Sequence, residues 1–307
     1  MKPLARSAVR STAPSSASCD DTPWLENALA AAARARVTVF GDLCLDAYWH
    51  LADGEAERSV ETGLPVQRVE RQVFSLGGAA NVAANARDLG AEHVRVVGVV
   101  GDDGFGLHLR RLLERRDIDG SGIVAAGEEF QTLVYAKPYR AEHEQPRIDF
   151  GGRLTPDLVD RLLAAVDLAA GDSSAVILNQ QVAAGLEGPD VAARLAAIVA
   201  RHPRTVFLVD ARAGSIPASG VVLKLNVREA ARLVDGDRAA EAPSLAESLR
   251  HARVLTARTA APVVITRGER GMLVADGQDV HELPGILAHG AVDPVGAGDT
   301  VAAALAA

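Results

Sequence analysis

The sequence predicts an α/β fold with a mostly parallel central sheet, helices on both faces and a small discontinuous β-lid. Three observations lead to this prediction. Short apolar, β-branched segments recur along the chain, segments with a helical period separate most of them, and two longer segments alternate apolar with polar residues. Strands that alternate with helices are typical of βαβ units, whose parallel sheet is covered on both faces.

The predicted strands are apolar throughout, as expected of strands buried on both faces. The first one, Val37–Phe40, ends at Gly41 and Asp42. The others lie at residues 94–100, 175–178, 206–209, 221–225 and 263–266. The apolar period predicts helices at residues 24–34, 81–89, 106–115, 156–169 and 191–200.

Two segments interrupt this order of strands and helices, at about residues 50–76 and 122–150. Their alternation of apolar and polar side chains is typical of strands with one exposed face. Because the segments are far apart in the chain, we expect one discontinuous lid within a single domain over residues 24–307. Residues 1–23, rich in Ser, Arg and Ala, are expected to be a disordered extension, with an organelle transit peptide as the alternative.

Composition argues against several classes of function. The chain of 307 residues carries 32 Lys and Arg against 40 Asp and Glu, a net charge of -8, which does not suit nucleic-acid binding. No apolar segment approaches the ~18 residues of a membrane span. Two cysteines, Cys19 and Cys44, cannot build a disulfide framework or a Cys-based metal site. We expect a cytoplasmic protein whose partner is a small molecule, with no nucleic acid and no membrane.

The strongest functional signal is Asp293-Pro294-Val295-Gly296-Ala297-Gly298-Asp299-Thr300, followed by an Ala-rich segment. Gly296 and Gly298 let the backbone bend closely, and a helix that begins here directs its N–H groups and positive dipole end at one point. Such a point binds anions. Asp299 at this point suits a general base that deprotonates a hydroxyl while the amides stabilise a migrating phosphoryl group. The alternative is that Asp299 only caps the helix.

Two further groups of residues suit a ligand that bears hydroxyl groups. Residues 75–83 contain Gly77 and Gly78, which allow close approach, and Asn81, whose amide binds hydroxyls. Asp46 lies beyond the carboxyl end of the first predicted strand, where open α/β sheets bind ligands. A turn or cap role is the alternative for Asp46.

Two other classes of nucleotide-binding protein are disfavoured because their motifs are missing. A dinucleotide site requires G-x-G-x-x-G after the first strand, and residues 41–46 do not supply it. A Walker-type site requires G-x-x-x-x-G-K-[ST], which does not occur in the chain.

Together, GGAANVAANARDLGA near the start and DPVGAGDT near the end resemble the two signatures of the ribokinase-like (PfkB) carbohydrate kinases. The resemblance runs from about Val37 to the end of the chain. It implies a ribokinase-like fold and transfer of a phosphoryl group from ATP to a sugar or sugar phosphate. The roles that it implies are an anion hole and base at Gly296, Ala297, Gly298 and Asp299, and sugar binding at Asp46, Gly77, Gly78 and Asn81.

The resemblance also implies a nucleotide and metal site. Asn226 and Glu229 resemble the family's Asn-x-x-Glu element, which holds Mg²⁺ partly through water. A polar helix start is the alternative. The family has a monovalent-cation site as well, so such a cation is a further expected cofactor. The segment that resembles the nucleotide-binding turn includes Thr266, Arg267, Gly268 and Gly271. A surface hairpin is the alternative for this turn.

Two charged residues at predicted strand ends keep two interpretations each. Lys224 suits either a phosphate contact or a lysine at the edge of the core. Asp210 either orients the site or simply ends its strand.

The segments LDAYWH, LPV, RIDF and ITRGERGM are most similar to the heptose 7-phosphate kinase branch of the family. By that similarity, Arg147 and Asp149 reach the substrate, and Arg suits a phosphate because it binds bidentately. A surface salt bridge is the alternative. Where the branch carries Asp-Tyr-x-Lys-Gly, this chain has amides at residues 179–181, among them Gln180 as a substrate contact. Because amides do not neutralise a phosphate, a different sugar or a differently placed phosphate stays open.

Three expectations concern the whole protein. Only eight residues follow Asp299, fewer than the family carries, so we expect a chain that is cut short. Exposed lid strands seek partners, which favours a homodimer through the lid. A non-catalytic sugar or nucleotide sensor on the same fold is the competing function.

Overall fold

The computed structural model confirms the α/β prediction. It describes residues 10–11, 23–54, 57–127, 130–181, 185–211, 219–286, 290 and 294–307. Cys19, Asp293 and most of the expected N-terminal extension lie outside the described residues. Within the described part of the chain, no helix combines the length and the apolar character needed to cross a membrane.

Ten strands form a large sheet. They lie side by side in the order β1 (Arg10–Ser11), β15 (Asp279–Leu283), β14 (Met272–Asp276), β13 (Val263–Thr266), β12 (Val222–Asn226), β11 (Val206–Ala211), β10 (Ala175–Gln180), β2 (Arg36–Gly41), β5 (His93–Val100) and β6 (Asp119–Ala125). The pairing from β13 to β6 is parallel, whereas β14 is antiparallel to both of its neighbours. The carboxyl ends of these parallel strands therefore meet at one edge of the sheet, where ligands bind in open α/β folds.

Helices cover both faces of the large sheet. They are α1 (Pro23–Ala32), α2 (Ala79–Asp88), α3 (Gly104–Arg115), α4 (Pro156–Ala170), α5 (Pro189–Arg201), α6 (Val227–Asp235), α7 (Leu245–Thr259) and α8 (Ala297–Ala306). Buried side chains of α4 to α7 pack in one apolar cluster, and those of α2, α3 and α8 pack in a second one. Local caps start several helices, as where Asp103 accepts from the Gly106 amide and Thr155 from the Leu158 amide.

A small sheet of five strands accounts for the predicted lid. Its strands are β3 (Leu43–Leu51), β4 (Val69–Gly78), β7 (Leu133–Arg140), β8 (His143–Glu144) and β9 (Ile148–Phe150). The order is β4-β3-β7-β8, with β9 also paired to β7. The chain enters the small sheet from β2 through the single residue Asp42, and it leaves β4 directly into α2. The two sheets are thus joined at the ligand-binding edge of the large one.

The bounds of the small sheet differ from the predicted ones. It begins at Leu43 rather than near residue 50, because β3 follows β2 almost without interruption. Residues 122–125 of the expected lid lie instead in β6 of the large sheet, where Gly122 pairs with Val97. A Cβ atom on Gly122 would lie 2.6 Å from the Val96 carbonyl oxygen, so glycine permits this close pairing. Their alternating pattern reflects an edge strand, which is partly exposed.

Candidate active site

The two glycine-rich turns meet at the carboxyl edge of the large sheet. Asn81 Nδ2, in the first turn of α2, donates a hydrogen bond to Asp299 Oδ2 at 2.7 Å across 218 positions of sequence. Gln181 Nε2, directly after β10, donates to Asp299 Oδ1 at 3.3 Å. Both oxygens of this carboxylate are therefore held by neutral amide groups. The alternative in which Asp299 caps its own helix finds no support, since Gly296 is the N-cap of α8.

The N-terminus of α8 has the geometry of an anion site. Gly296 has a φ of 81°, the left-handed conformation that favours glycine. The first N–H groups of a helix lack partners within the helix, and the positive end of the helix dipole lies there. In this structure the backbone N–H of Ala297 donates to the Pro294 carbonyl oxygen at 3.3 Å. A Cβ on Gly298 would lie 3.0 Å from Lys224 Nζ, so glycine lets an ammonium group come close to the turn.

Lys224 and Asp210 form a buried ion pair beside this turn. Lys224 Nζ lies 3.0 Å from each Asp210 oxygen, and the two side chains are 7% and 10% exposed. Burial raises the pKa of Asp210, although the Lys224 ammonium opposes that change. Lys224 therefore lies at the edge of the core, as one interpretation predicts. It also lies close to the start of α8, as a phosphate contact would require.

Near the start of α2, Asp46 lies within β3 and not in a turn, so the turn interpretation is wrong. Its Oδ2 is 3.2 Å from Lys137 Nζ, and the two side chains are 17% and 14% exposed. A Cβ on Gly77 would lie 3.2 Å from Asp46 Oδ1, and one on Gly78 would lie 2.5 Å from the Asp42 carbonyl oxygen. Gly77 and Gly78, at the end of β4 and here called the diglycine turn, therefore bring the backbone next to the Asp46 carboxylate, as expected of a site that a ligand approaches closely.

Two residues near Asp46 escaped the sequence analysis. Burial lowers the pKa of Lys137, but the Asp46 carboxylate outweighs it and the net shift is upward. Cys44 is fully buried under the diglycine turn, and burial, followed by the charges of Asp46 and Asp42, raises its pKa well above the ordinary thiol value. Strand alternation marks Lys137 as one of the polar residues of its strand, but only the pairing of β3 with β7 places it beside Asp46.

Arg147 and Asp149 lie on the same face of the small sheet as Asp46, because Asp46 pairs with Tyr135 and Tyr135 with Asp149. The arginine binds the aspartate bidentately at 2.7 and 2.8 Å and stacks over the Tyr135 ring at 4.5 Å. Both side chains are about half exposed. In this state they form the surface salt bridge of the alternative interpretation and do not contact Asp299.

Asn179 and Gln180, the last two residues of β10, each have one buried side-chain polar atom without a hydrogen-bond partner among the described residues. Gln180 is 8% exposed, and its Nε2 has no hydrogen-bond partner among the described residues. Asn179 is fully buried; its amide approaches Asp210 at 3.5 Å, while its Oδ1 has no partner in the described part of the chain. Buried polar groups are normally satisfied, so these atoms suit a bound polar ligand or water. Residues 182–184 of the amide segment lie outside the described residues.

Asn226 and Glu229 make a capping box at the start of α6. Asn226 Oδ1 accepts from the backbone N–H of Glu229 at 3.0 Å, and the backbone N–H of Asn226 donates to Glu229 Oε2 at 2.8 Å. The polar helix start is therefore present. Among the described residues, no group of three or more His, Cys, Asp or Glu side chains is placed to hold a metal ion. A carboxylate and an amide oxygen fit Mg²⁺ only where phosphates and waters complete its shell, which is how this ion usually binds.

The turn at Thr266–Gly271 connects β13 to antiparallel β14, as the hairpin interpretation states. Thr266 pairs with Asn226 in register, so the turn and the capping box are neighbours at the ligand-binding edge. Arg267 is buried and paired with Glu282, and Gly268 begins a short 3-10 turn. A Cβ on Gly271 (φ 81°) would lie 2.1 Å from the Leu283 carbonyl oxygen, so this position requires glycine.

A cavity of about 530 Å³ lies elsewhere, beside the apolar face of the small sheet. Its aromatic lining consists of Phe74, Phe105, His108 and Phe150. It does not include the residues around Asp299, so it is separate from the candidate active site.

Comparison with known proteins identifies relatives over most of the chain. A profile of the pfkB family of carbohydrate kinases matches residues 35–307. The D-beta-D-heptose 7-phosphate kinase of Bordetella bronchiseptica is 34% identical over 277 residues, which cover 89% of this chain and 84% of that protein. The bifunctional protein HldE of a Caulobacter species is 33% identical over 274 residues, covering 89% of this chain and 54% of its own length. The chain thus spans about half the length of the bifunctional relatives.

Solved structures share the fold at low sequence identity. The tetrameric inhibited form of phosphofructokinase-2 from Escherichia coli superposes with a TM-score of 0.69 at 18% identity, covering 89% of this chain and 86% of that one. An Arabidopsis thaliana ribokinase complexed with ribose and ATP gives 0.64 at 17% identity, covering 88% and 84%. These likenesses confirm the ribokinase-like fold.

Proposed function

The chain belongs to the pfkB family of carbohydrate kinases, and from this premise we propose that it transfers the γ-phosphoryl group of ATP to a hydroxyl of a sugar or sugar phosphate, with Asp299 as the general base. The observation that carries the proposal is the position of the Asp299 carboxylate. It lies at the positive end of α8, where anions bind, and contacts Asn81 in the first turn of α2. A base placed at an anion site suits proton removal coupled to phosphoryl transfer.

The roles of the surrounding residues follow from charge and geometry. Asp299 accepts the hydroxyl proton, and the backbone amides at Gly296, Ala297 and Gly298 stabilise the charge that develops on the phosphoryl group. Lys224 adds a positive charge near Gly298. Asp46 accepts hydrogen bonds from sugar hydroxyls, while Gly77, Gly78 and Asn81 line the same side. Closure of the small sheet over the sugar would exclude water and limit ATP hydrolysis.

The nucleotide is proposed to bind along the edge formed by Asn226, Thr266, Arg267, Gly268 and Gly271. The oxygen donors of Asn226 and Glu229 would hold Mg²⁺, partly through water, and the ion supplies charge neutralisation of the phosphates when bound. A monovalent cation is a further proposed cofactor, and we also propose that two copies associate through exposed strands of the small sheet.

For the acceptor, we propose a sugar phosphate. The Bordetella relative is named for its action on heptose 7-phosphate, and Arg147 with Asp149 lies on the same face as Asp46. Arg147 would exchange its contact with Asp149 for a phosphate. The buried amide of Gln180 suits a hydroxyl rather than a phosphate, so a sugar with a different hydroxyl pattern from the heptose is included in the proposal.

A panel of acceptors tests the proposal. Full-length protein is mixed with Mg-ATP and ribose, fructose 6-phosphate or heptose 7-phosphate, with potassium or choline as the monovalent cation, and ADP is measured. We expect sugar-dependent ADP formation that falls by ~10² or more in kcat in Asp299→Asn, with ATP affinity retained in calorimetry. Asp276→Asn, an exposed residue at the far end of β14, is the matched control.

Two results would contradict the proposal. An Asp299→Asn variant with the kcat of the unaltered protein would rule out Asp299 as the general base. Tight binding of sugar and nucleotide without ADP would favour the sensor on the same fold.

A further inference from the structure

We infer that Gln181, with Asp42 behind it, is a positioning residue that holds the Asp299 carboxylate in the orientation for proton removal. The inference rests on the proposed function of Asp299 as the base. Gln181 is one of the amides in the segment where the sequence departs from the heptose kinase pattern.

The contact is the first step of the argument. Gln181 Nε2 donates to Asp299 Oδ1 at 3.3 Å, while Asn81 Nδ2 donates to Oδ2 at 2.7 Å. Two donors on two different oxygens restrict rotation of the carboxyl group. Asn81, in the first turn of α2, is also proposed to bind the sugar, and a sugar that takes up its side-chain amide would remove one of the two donors to Asp299. Gln181 is then the contact that keeps the base in place.

Asp42 provides the second step, because it fixes the backbone on both sides of the base. Its Oδ2 accepts from the backbone N–H of Gln181 at 2.7 Å, and its carbonyl oxygen accepts from the backbone N–H of Ala79, at the start of α2, at 3.0 Å. Asp42 is 5% exposed. The helix that carries Asn81 and the segment that carries Gln181 therefore share one buried anchor at their backbones, while their side-chain amides donate to Asp299.

The third step is the chemistry of the donor. Asp210 is paired with a full positive charge, the ammonium group of Lys224 at 3.0 Å. Gln181 and Asn81 are neutral, so they orient Asp299 without neutralising its charge. A base needs both a defined direction and the freedom to take up a proton, and neutral amides meet both needs.

Kinetics of Gln181→Leu test the inference. We expect kcat to fall roughly tenfold, with the KM values for sugar and ATP within about twofold of the unaltered enzyme, because the variant misplaces the base and leaves binding alone. Gln181→Glu is nearly isosteric and keeps the fold while it turns an acceptor toward Asp299, so we expect a similar loss. In an Asp299→Ala background, Gln181→Leu should slow the residual reaction no further. Gln278→Leu, in the exposed turn between β14 and β15, is the control.

A second measurement needs no substrate. The unfolding equilibria of Gln181→Leu, Asp299→Ala and the double variant form a cycle, and we expect a coupling of roughly fivefold in the equilibrium constant. Additive effects contradict the contact itself. A higher sugar KM with unchanged kcat overturns the positioning role and makes Gln181 a sugar ligand. An unaltered chain that forms no ADP with any sugar contradicts the proposed function instead, and the unfolding cycle tells the two failures apart.

Discussion

The two sheets differ in what their strands bury. In the large sheet, all six residues of β10 are buried and β2 is nearly as enclosed. In the small sheet, the first half of β4 is largely exposed, and one face carries Asp46, Lys137 and Arg147. The large sheet therefore provides most of the apolar burial that stabilises the domain, whereas the small sheet keeps charged side chains available.

The two sheets also differ in how they accommodate charged side chains. A charge in the large sheet must be paired because burial is costly, as Lys224 and Asp210 are. A charge in the small sheet remains partly hydrated and can exchange its partner for a ligand. The candidate base lies between these two environments, partly exposed at the junction of the sheets.

The largest expected effect would break the pairing in the large sheet. Lys224→Met leaves Asp210 buried without its cation, so we expect the free energy of unfolding in urea to fall by about 3–5 kcal/mol. The double variant with Asp210→Asn buries no unpaired charge and should recover most of that loss. Equal free energies of unfolding for the single and double variants would mean that Asp210 without its cation is not the source of the lost stability.

A smaller effect is expected in the small sheet, and in binding rather than in stability. Asp46→Asn removes a charged acceptor for sugar hydroxyls, so the sugar KM should rise roughly tenfold while the ATP KM stays unchanged. The free energy of unfolding should change less than in Lys224→Met, because Asp46 and Lys137 keep more contact with water than Asp210 and Lys224 do. Glu142→Gln, in the exposed turn between β7 and β8, is the control for lost charge. A strongly destabilised Asp46→Asn variant with an unaltered sugar KM would mean that Asp46 serves stability rather than binding.

The smallest effect concerns pH at the edge of the large sheet. Burial raises the pKa of Asp119, but hydrogen bonds from the Arg95 side chain and the Ser121 amide outweigh it and lower the pKa from 3.8 to about 2. A lowered pKa stabilises the folded state above pH 4, and this contribution is lost as the pH falls toward 2. Urea unfolding should therefore show unaltered protein more stable than Asp119→Asn at pH 6, with the gap closing by pH 2. A constant gap would contradict the assignment.

Much of the fold was predictable because its signals are local. The strand at Val37–Phe40 lies within β2, and the helix expected at residues 156–169 is α4 with one residue more. Residues 122–125 were assigned to the wrong sheet, because an edge strand of the large sheet shows the same alternation as a lid strand. Which sheet a strand joins depends on its partner, and no local pattern encodes the partner.

The position of the candidate site along the chain was predictable from local signals. Gly296 and Gly298, ahead of an Ala-rich segment, predict a helix start that suits anions, and Asp299 beside them is the predicted base. Which amide contacts Asp299 depends on the packing of distant segments. Gln180, the predicted substrate contact, is buried at the end of β10, whereas its neighbour Gln181 contacts Asp299. Successive residues of a strand face opposite sides, so a step of one position changes the neighbour completely, and only the packing of β10 against α8 determines which side the base occupies.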